Sequence, residues 1–86
     1  FKDVDFKVAP ISVKEVDDII QSIRSYPILM GARGSEKRDI KSLKETIQRL
    51  SQLAINCPQI KELDINPLIV RNEGKGCFVA DTKIML

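Results

Sequence analysis

Three oxygen-bearing side chains near the end of the chain could do chemistry together. Asp64 and Asn66 lie in the run Glu62-Leu63-Asp64-Ile65-Asn66-Pro67-Leu68-Ile69-Val70, and Asp81 lies in Cys77-Phe78-Val79-Ala80-Asp81-Thr82-Lys83-Ile84-Met85. The segment Asn72-Glu73-Gly74-Lys75-Gly76 joins the two runs. An antiparallel hairpin centred on Glu73-Gly74 sets Asn66 opposite Asp81, Asp64 opposite Lys83 and Leu68 opposite Val79. Facing side chains on a sheet have Cβ atoms roughly 4.5–5.5 Å apart. That spacing suits an amide oxygen and a carboxylate gripping one hard cation. Magnesium takes one or two protein carboxylates and completes its octahedron with water and substrate phosphates.

Strand alternation predicts one face carrying Asp64, Asn66 and Leu68. The other face, with Leu63, Ile65, Pro67 and Ile69, is expected to meet the helices. The register depends on the turn. Glu at the first tip position does not suit a two-residue hairpin loop, which favours Asn or Gly there. A longer loop with the same centre keeps the pairing, whereas a one-residue bulge sends Asp81 to the wrong face. An ordinary solvated sheet face accounts for the same polar residues, with a Lys83–Asp64 pair worth little. Against that account, the same face also carries Leu68, Val70, Cys77 and Val79, as if it were partly covered.

Upstream segments must hold this hairpin. Val4, Phe6 and Val8 alternate with Asp3, Asp5 and Lys7, which reads as a half-buried strand ended by Pro10. Ser12-Val13-Lys14-Glu15 is a capping box. Val13, Val16, Ile19, Ile20 and Ile23 follow at helical spacing, and the helix is expected to run to about Ser25, before Pro27. Pro27-Ile28-Leu29-Met30 is a short apolar piece, followed by the compact Gly31-Ala32-Arg33-Gly34 and the polar Ser35-Glu36-Lys37-Arg38. Asp39 reads as the N-cap of a second helix. Its apolar stripe, Ile40, Leu43, Ile47, Leu50, Leu53 and Ala54, reaches about Ile55. The order strand, helix, helix, strand, strand gives an α+β fold: a small antiparallel sheet with two helices packed on one face.

Eighty-six residues make at most one domain. A net charge of +2 with interspersed signs argues against a nucleic-acid surface. No apolar run is long enough to span a membrane, and nothing at the start resembles a secretory signal. Cys57 and Cys77 lack CxxC spacing and the chain has no His. Zinc and histidine chemistry are therefore not expected, and the thiols read as reduced in a cytoplasmic protein. The start at Phe1, already strand-like, reads as part of something longer.

Leu63-Asp64-Ile65-Asn66-Pro67-Leu68 resembles the distal part of the ATP-grasp module of NDP-forming acyl-CoA synthetases, the ADP-forming acetate–CoA ligase family. The succinyl-CoA synthetase β subunit is a more distant cousin. The resemblance extends through Asp3-Val4-Asp5-Phe6-Lys7-Val8-Ala9-Pro10-Ile11, Tyr26-Pro27-Ile28-Leu29, Gly31-Ala32-Arg33-Gly34 and Val79-Ala80-Asp81-Thr82-Lys83-Ile84. It implies that residues 1–86 are a single distal ATP-grasp subdomain, with Asn66 and Asp81 as Mg²⁺ ligands and Asp64 beside them as a cofactor-binding residue. Arg33 is a candidate phosphate or substrate contact, weighed against a structural loop arginine paired with a nearby carboxylate. The implied reaction is acyl-CoA, ADP and phosphate to acid, CoA and ATP, through a phosphohistidine that this chain cannot supply. The implied partners are the nucleotide and the CoA-ligase remainder, in the same protein or a partner subunit. Alone, the chain is expected to be inactive. The alternative is a non-catalytic regulatory or interaction module, for example one fused to an acetyltransferase.

Overall fold

The first helix begins where the capping box places it. In the computed structural model, which describes residues 11–86, Ser12 Oγ accepts from the Glu15 amide at 3.1 Å and Glu15 Oε1 accepts from the Ser12 amide at 3.4 Å. The strand expected over residues 1–10 lies outside the described residues. Helix α1 spans Val13–Ser22, three residues shorter than its periodicity suggests. Ser22 Oγ donates back to the Ile19 carbonyl at 2.7 Å and Ile23 is already extended. The chain then turns through Arg24 and Ser25 into a four-residue helix, α2 (Tyr26–Leu29), with Pro27 in its first turn, where a missing N–H is harmless.

Gly31 leads into a single 3₁₀ turn at Ala32–Gly34. Helix α3 spans Ile40–Asn56, capped by Asp39, whose Oδ1 accepts from the Ser42 amide at 3.0 Å. Among the described residues, a small core forms between these helices. Val16, Ile20, Leu29 and Leu43 are buried in it, with Ile11, Ile23, Tyr26, Ile40, Ile47, Leu68 and Val70 packed around them. Burying each such side chain stabilises by about 1.5–3 kcal/mol. Lys44 Nζ meets Asp17 Oδ1 at 2.7 Å between α3 and α1, and both side chains are open enough to solvent that the pair contributes little.

Among the described residues, four short strands follow the helices: β1 (Glu62–Ile65), β2 (Leu68–Val70), β3 (Cys77–Val79) and β4 (Thr82–Met85). They form two antiparallel ladders, β1 with β4 and β2 with β3. The predicted register holds in both: Asp64 faces Lys83, and Leu68 faces Val79. At the tip, the Lys75 amide donates to the Asn72 carbonyl at 2.9 Å. Glu73 keeps a negative φ while Gly74 takes +83°, the φ signs of a type II turn. Glu at the first tip position is thus accommodated because glycine at the second carries the left-handed conformation.

The assignment of faces needs correction. Leu63, Ile65, Leu68 and Val70 are half-buried, whereas Glu62, Asp64, Asn66, Pro67 and Ile69 are exposed. The alternation therefore slips by one residue at Asn66-Pro67. The backbone shows why. A regular antiparallel ladder alternates pairs that exchange two bonds with pairs that exchange none. Here two successive facing pairs hold one bond each: Asn66 amide to Asp81 carbonyl at 3.2 Å, and Ala80 amide to Pro67 carbonyl at 3.0 Å. As a result Leu68 and Val70, not Ile69, pack toward the helices, and Leu68 does not share a face with Asp64 and Asn66.

A third edge completes the hairpin. The Asp39 amide donates to the Arg71 carbonyl at 2.7 Å, and the Glu73 amide donates to the Lys37 carbonyl at 2.8 Å. Arg38 pairs with Asn72 between them, and Arg38 Nη1 donates to Asn72 Oδ1 at 3.0 Å. The Arg38 amide in turn donates to the Leu29 carbonyl at 2.8 Å, which ties this edge to α2.

Candidate metal and nucleotide site

Asn66 and Asp81 sit in the short break between the two ladders, joined through the Asn66 amide and the Asp81 carbonyl. Both side chains are exposed. Asp81 Oδ1 accepts from the Thr82 amide at 2.8 Å. That bond fixes the carboxylate orientation, and among the described residues no hydrogen bond engages Oδ2. Asp64 and Lys83 form the facing pair two residues along. They too are exposed, and no ion pair joins them among the described residues.

Because of the slip at Asn66-Pro67, these oxygens lie away from the core that Leu68 and Val70 join. Beyond them, on the exposed part of the hairpin, Ile69 and Phe78 face each other, 37% and 43% exposed. The Arg71 guanidinium lies over the Phe78 ring, 4.8 Å from its centroid. The hairpin surface thus passes from hard oxygens to an apolar pair and a cation within a few residues.

Among the described residues, no three His, Cys, Asp or Glu side chains cluster as a metal site. A cation here therefore has an amide and a carboxylate from the chain and must draw its other ligands from water or a bound anion. That composition fits Mg²⁺, which prefers oxygen and keeps several non-protein ligands, and it does not fit Zn²⁺.

Arg33 lies elsewhere. It is exposed, adopts a left-handed φ of 59°, and sits in the turn after α2. No ion pair holds it among the described residues, so the expected pairing with a nearby carboxylate is not seen. Its loop leads to Lys37 and Arg38, which pair with the hairpin tip. Asn66 and the tip residue Asn72 are six positions apart, roughly 20 Å for extended chain. The structure thus groups Asp64, Asn66 and Asp81 and leaves Arg33 near the opposite end.

A separate open cleft of about 180 Å³ lies between α3 and the hairpin, lined by Ser42, Glu45, Thr46, Arg49, Gly76 and Cys77. The Cys77 thiol meets Thr46 Oγ1 there at 3.1 Å. Both cysteines are free thiols.

Asp39 is the residue whose importance the sequence understates. An Asp before an apolar stripe signals a helix cap and nothing more. In the structure it is 7% exposed, and its second oxygen, Oδ2, accepts from the Gly76 amide at 2.8 Å. The Ser42 and Gly76 amides hold its carboxyl below the usual carboxylate range, against the smaller opposing effect of burial.

With this geometry in hand, the likeness to known proteins is specific. The profile of the ATP-grasp domain matches residues 1–86, the whole chain. A 4-hydroxybutyrate–CoA ligase (ADP-forming) from Nitrosopumilus maritimus is 52% identical over 85 residues, which are 99% of this chain and 12% of the relative. The β subunit of an ADP-forming acetate–CoA ligase from Pyrococcus furiosus is 41% identical over 86 residues and is covered over 36% of its length. Among solved structures, the dinucleotide-forming acetyl-CoA synthetase 1 of Ca. Korarchaeum cryptofilum, in complex with coenzyme A and Mg-AMPPCP, superposes with a TM-score of 0.86. It is 34% identical, over 98% of this chain and 38% of that one. The chain thus spans from about an eighth to a little over a third of these proteins. Among the described residues, no helix is long and apolar enough to cross a membrane.

Proposed function

This chain belongs to the ATP-grasp domain family and matches that region of ADP-forming acyl-CoA ligases, and on that premise we propose that it forms one wall of a Mg²⁺–nucleotide site in such a ligase. One observation carries the proposal: the family match coincides with an exposed amide–carboxylate pair, Asn66 and Asp81, set opposite each other in the register found. Asn66 and Asp81 hold the cation. Asp64 stands beside them and orients metal-bound water or nucleotide. Arg33, near the other end of the hairpin, is left for a separate anionic group of nucleotide or substrate.

When bound, Mg²⁺ neutralises phosphate charge, which positioning-dominated phosphoryl transfer requires. The chain's own part is to place the two oxygens, to hold Asp81 in one orientation through the Thr82 amide, and to keep the pair clear of the helices. The reaction in which it takes part is acyl-CoA, ADP and phosphate to acid, CoA and ATP. A phosphohistidine, if used, comes from the remainder of the protein, since this chain contains no His. That remainder, in the same chain or in another subunit, supplies the rest of the nucleotide site and the CoA chemistry. The free Cys57 and Cys77 agree with work in the cytoplasm, where thiols stay reduced.

Equilibrium binding of ATP to the intact protein, with and without Mg²⁺, tests the reading. Binding is expected to strengthen with Mg²⁺, and Asn66→Ala is expected to abolish most of that gain. An Asn66→Ala protein with unchanged Mg²⁺ dependence would remove the metal role.

A further inference from the structure

The β2–β3 hairpin is poorly equipped to choose its own register. Each strand has three residues, and its tip lacks the Asn-Gly chemistry that locks a tight hairpin. Slipping by one residue would move every side chain of one strand to the other face. Asp81 would then no longer stand opposite Asn66.

Asp39 touches both arms of this hairpin at one facing pair. Its amide donates to the Arg71 carbonyl at 2.7 Å, on the arm leaving β2. Its Oδ2 accepts from the Gly76 amide at 2.8 Å, on the arm entering β3. Arg71 and Gly76 are themselves joined, amide to carbonyl, at 3.0 Å. A slipped hairpin would present Lys75 or Cys77 to Asp39 in place of Gly76. Gly76 has a φ of +79°, a conformation disfavoured for either replacement. Meanwhile Oδ1 of the same carboxylate is anchored on the Ser42 amide at the start of α3. One buried carboxylate therefore joins the helix to the register of the hairpin.

We propose that Asp39 is a positioning residue of the metal site, fixing through the Arg71–Gly76 pair the register that sets Asp81 opposite Asn66. The proposal rests on the Mg²⁺–nucleotide reading above and adds a residue remote from the metal. It differs from plain helix capping in one respect. Asparagine caps helices as well as aspartate does, and Asp39→Asn keeps an oxygen for Ser42. It turns an NH₂ group toward the Gly76 amide, where an acceptor is needed. A capping role predicts that Asp39→Asn is harmless. A register role predicts that α3 stays intact while the hairpin loosens.

Hydrogen–deuterium exchange on the intact protein without nucleotide, paired with Mg²⁺ titration of turnover, separates the outcomes. In Asp39→Asn the cross-hairpin amides of Asn66 and Ala80 are expected to exchange about tenfold faster or more, as loss of a charge-assisted bond implies. The α1 and α3 amides are expected to be unchanged, and half-saturating Mg²⁺ to rise. Asp39→Ala should loosen both the hairpin and the start of α3. Wild-type exchange at Asn66 and Ala80 in Asp39→Asn would overturn the proposal. So would unaltered Mg²⁺ dependence in Asp39→Asn while Asp81→Asn shifts it. If Asp81→Asn itself leaves Mg²⁺ dependence unaltered, the metal reading fails, and Asp39 as a positioning residue of that site fails with it.

Discussion

Replacing Asp81 and Asp64 separately by asparagine removes the same single charge from two points at different distances from the proposed cation. The structure supplies the distances. Asp81 faces Asn66 and would touch the metal, at the 2.0–2.1 Å of a Mg²⁺–oxygen bond. Asp64 lies two residues along the strand, about 7 Å away. Both side chains are exposed, so the screening of bulk water applies. With that dielectric, losing a unit charge against Mg²⁺ weakens it by on the order of 10³-fold in contact and by less than tenfold at ~7 Å. Salt reduces the smaller effect further. Asparagine keeps Oδ1, so the Thr82 amide retains its acceptor and the local backbone is undisturbed. The assay is initial rate against free Mg²⁺ for the intact protein and both variants, with thermal unfolding as the control. Half-saturating Mg²⁺ should rise far more in Asp81→Asn than in Asp64→Asn. Equal shifts, or a larger shift in Asp64→Asn, would refute the placement of the cation between Asn66 and Asp81.

Other outcomes follow from the packing and the backbone. Ile20→Ala, at a 2% exposed position among Val16, Leu29 and Leu43, should destabilise the domain by about 2–5 kcal/mol in denaturant unfolding. Ser51 is buried and its Oγ accepts from the Ile11 amide at 3.0 Å, so Ser51→Ala should strand that amide and lower stability by about 1–3 kcal/mol. Gly31→Ala should lower the melting temperature more than Gly34→Ala. Both glycines have positive φ, but a Cβ on Gly31 would meet the Ser35 carbonyl oxygen at 3.1 Å, while Gly34 has open space. The depressed Asp39 pKa gives stability that is fully present above the ordinary carboxylate range, about pH 4, and is lost as pH falls through the lower folded value. Acid unfolding of Asp39→Asn should lack that part of the pH dependence.

Local signals in the sequence were strong where one segment determined its own structure. Ser12 and Glu15 announce a capping box that the hydrogen bonds confirm. The stripe from Ile40 to Ala54 announces α3 to within a residue or two. The hairpin register could be read because Gly74 lies near the centre of two strand-like runs. What could not be read depends on contacts between distant segments. The edge at Lys37 to Asp39 is held by bonds to residues more than thirty positions away, and no pattern in its own residues marks it. Helix α2 is too short for periodicity to reveal. Period-two reasoning carried the strand straight through Asn66-Pro67 and so assigned Ile69 to the core and Leu68 to the oxygen face. Of the candidate site, Asp64, Asn66 and Asp81 were legible as a group. The second duty of Asp39 was not, because its helix-capping signal gives no hint of Gly76.

The slip at Asn66-Pro67 also bears on how such chains are compared and redesigned. Hydrophobic pattern alone would favour deleting one residue there, since the deletion restores an unbroken alternation of apolar and polar positions. An alignment scored on pattern would open that gap, and a designer smoothing the strand would make the same cut. Either would keep the apolar side chains on one face but shorten this strand against its partner, so that Asn66 opposite Asp81 and Leu68 opposite Val79 could not both hold. The irregular step is therefore the point at which two demands on one strand, feeding a core and displaying oxygens, are kept out of each other's way.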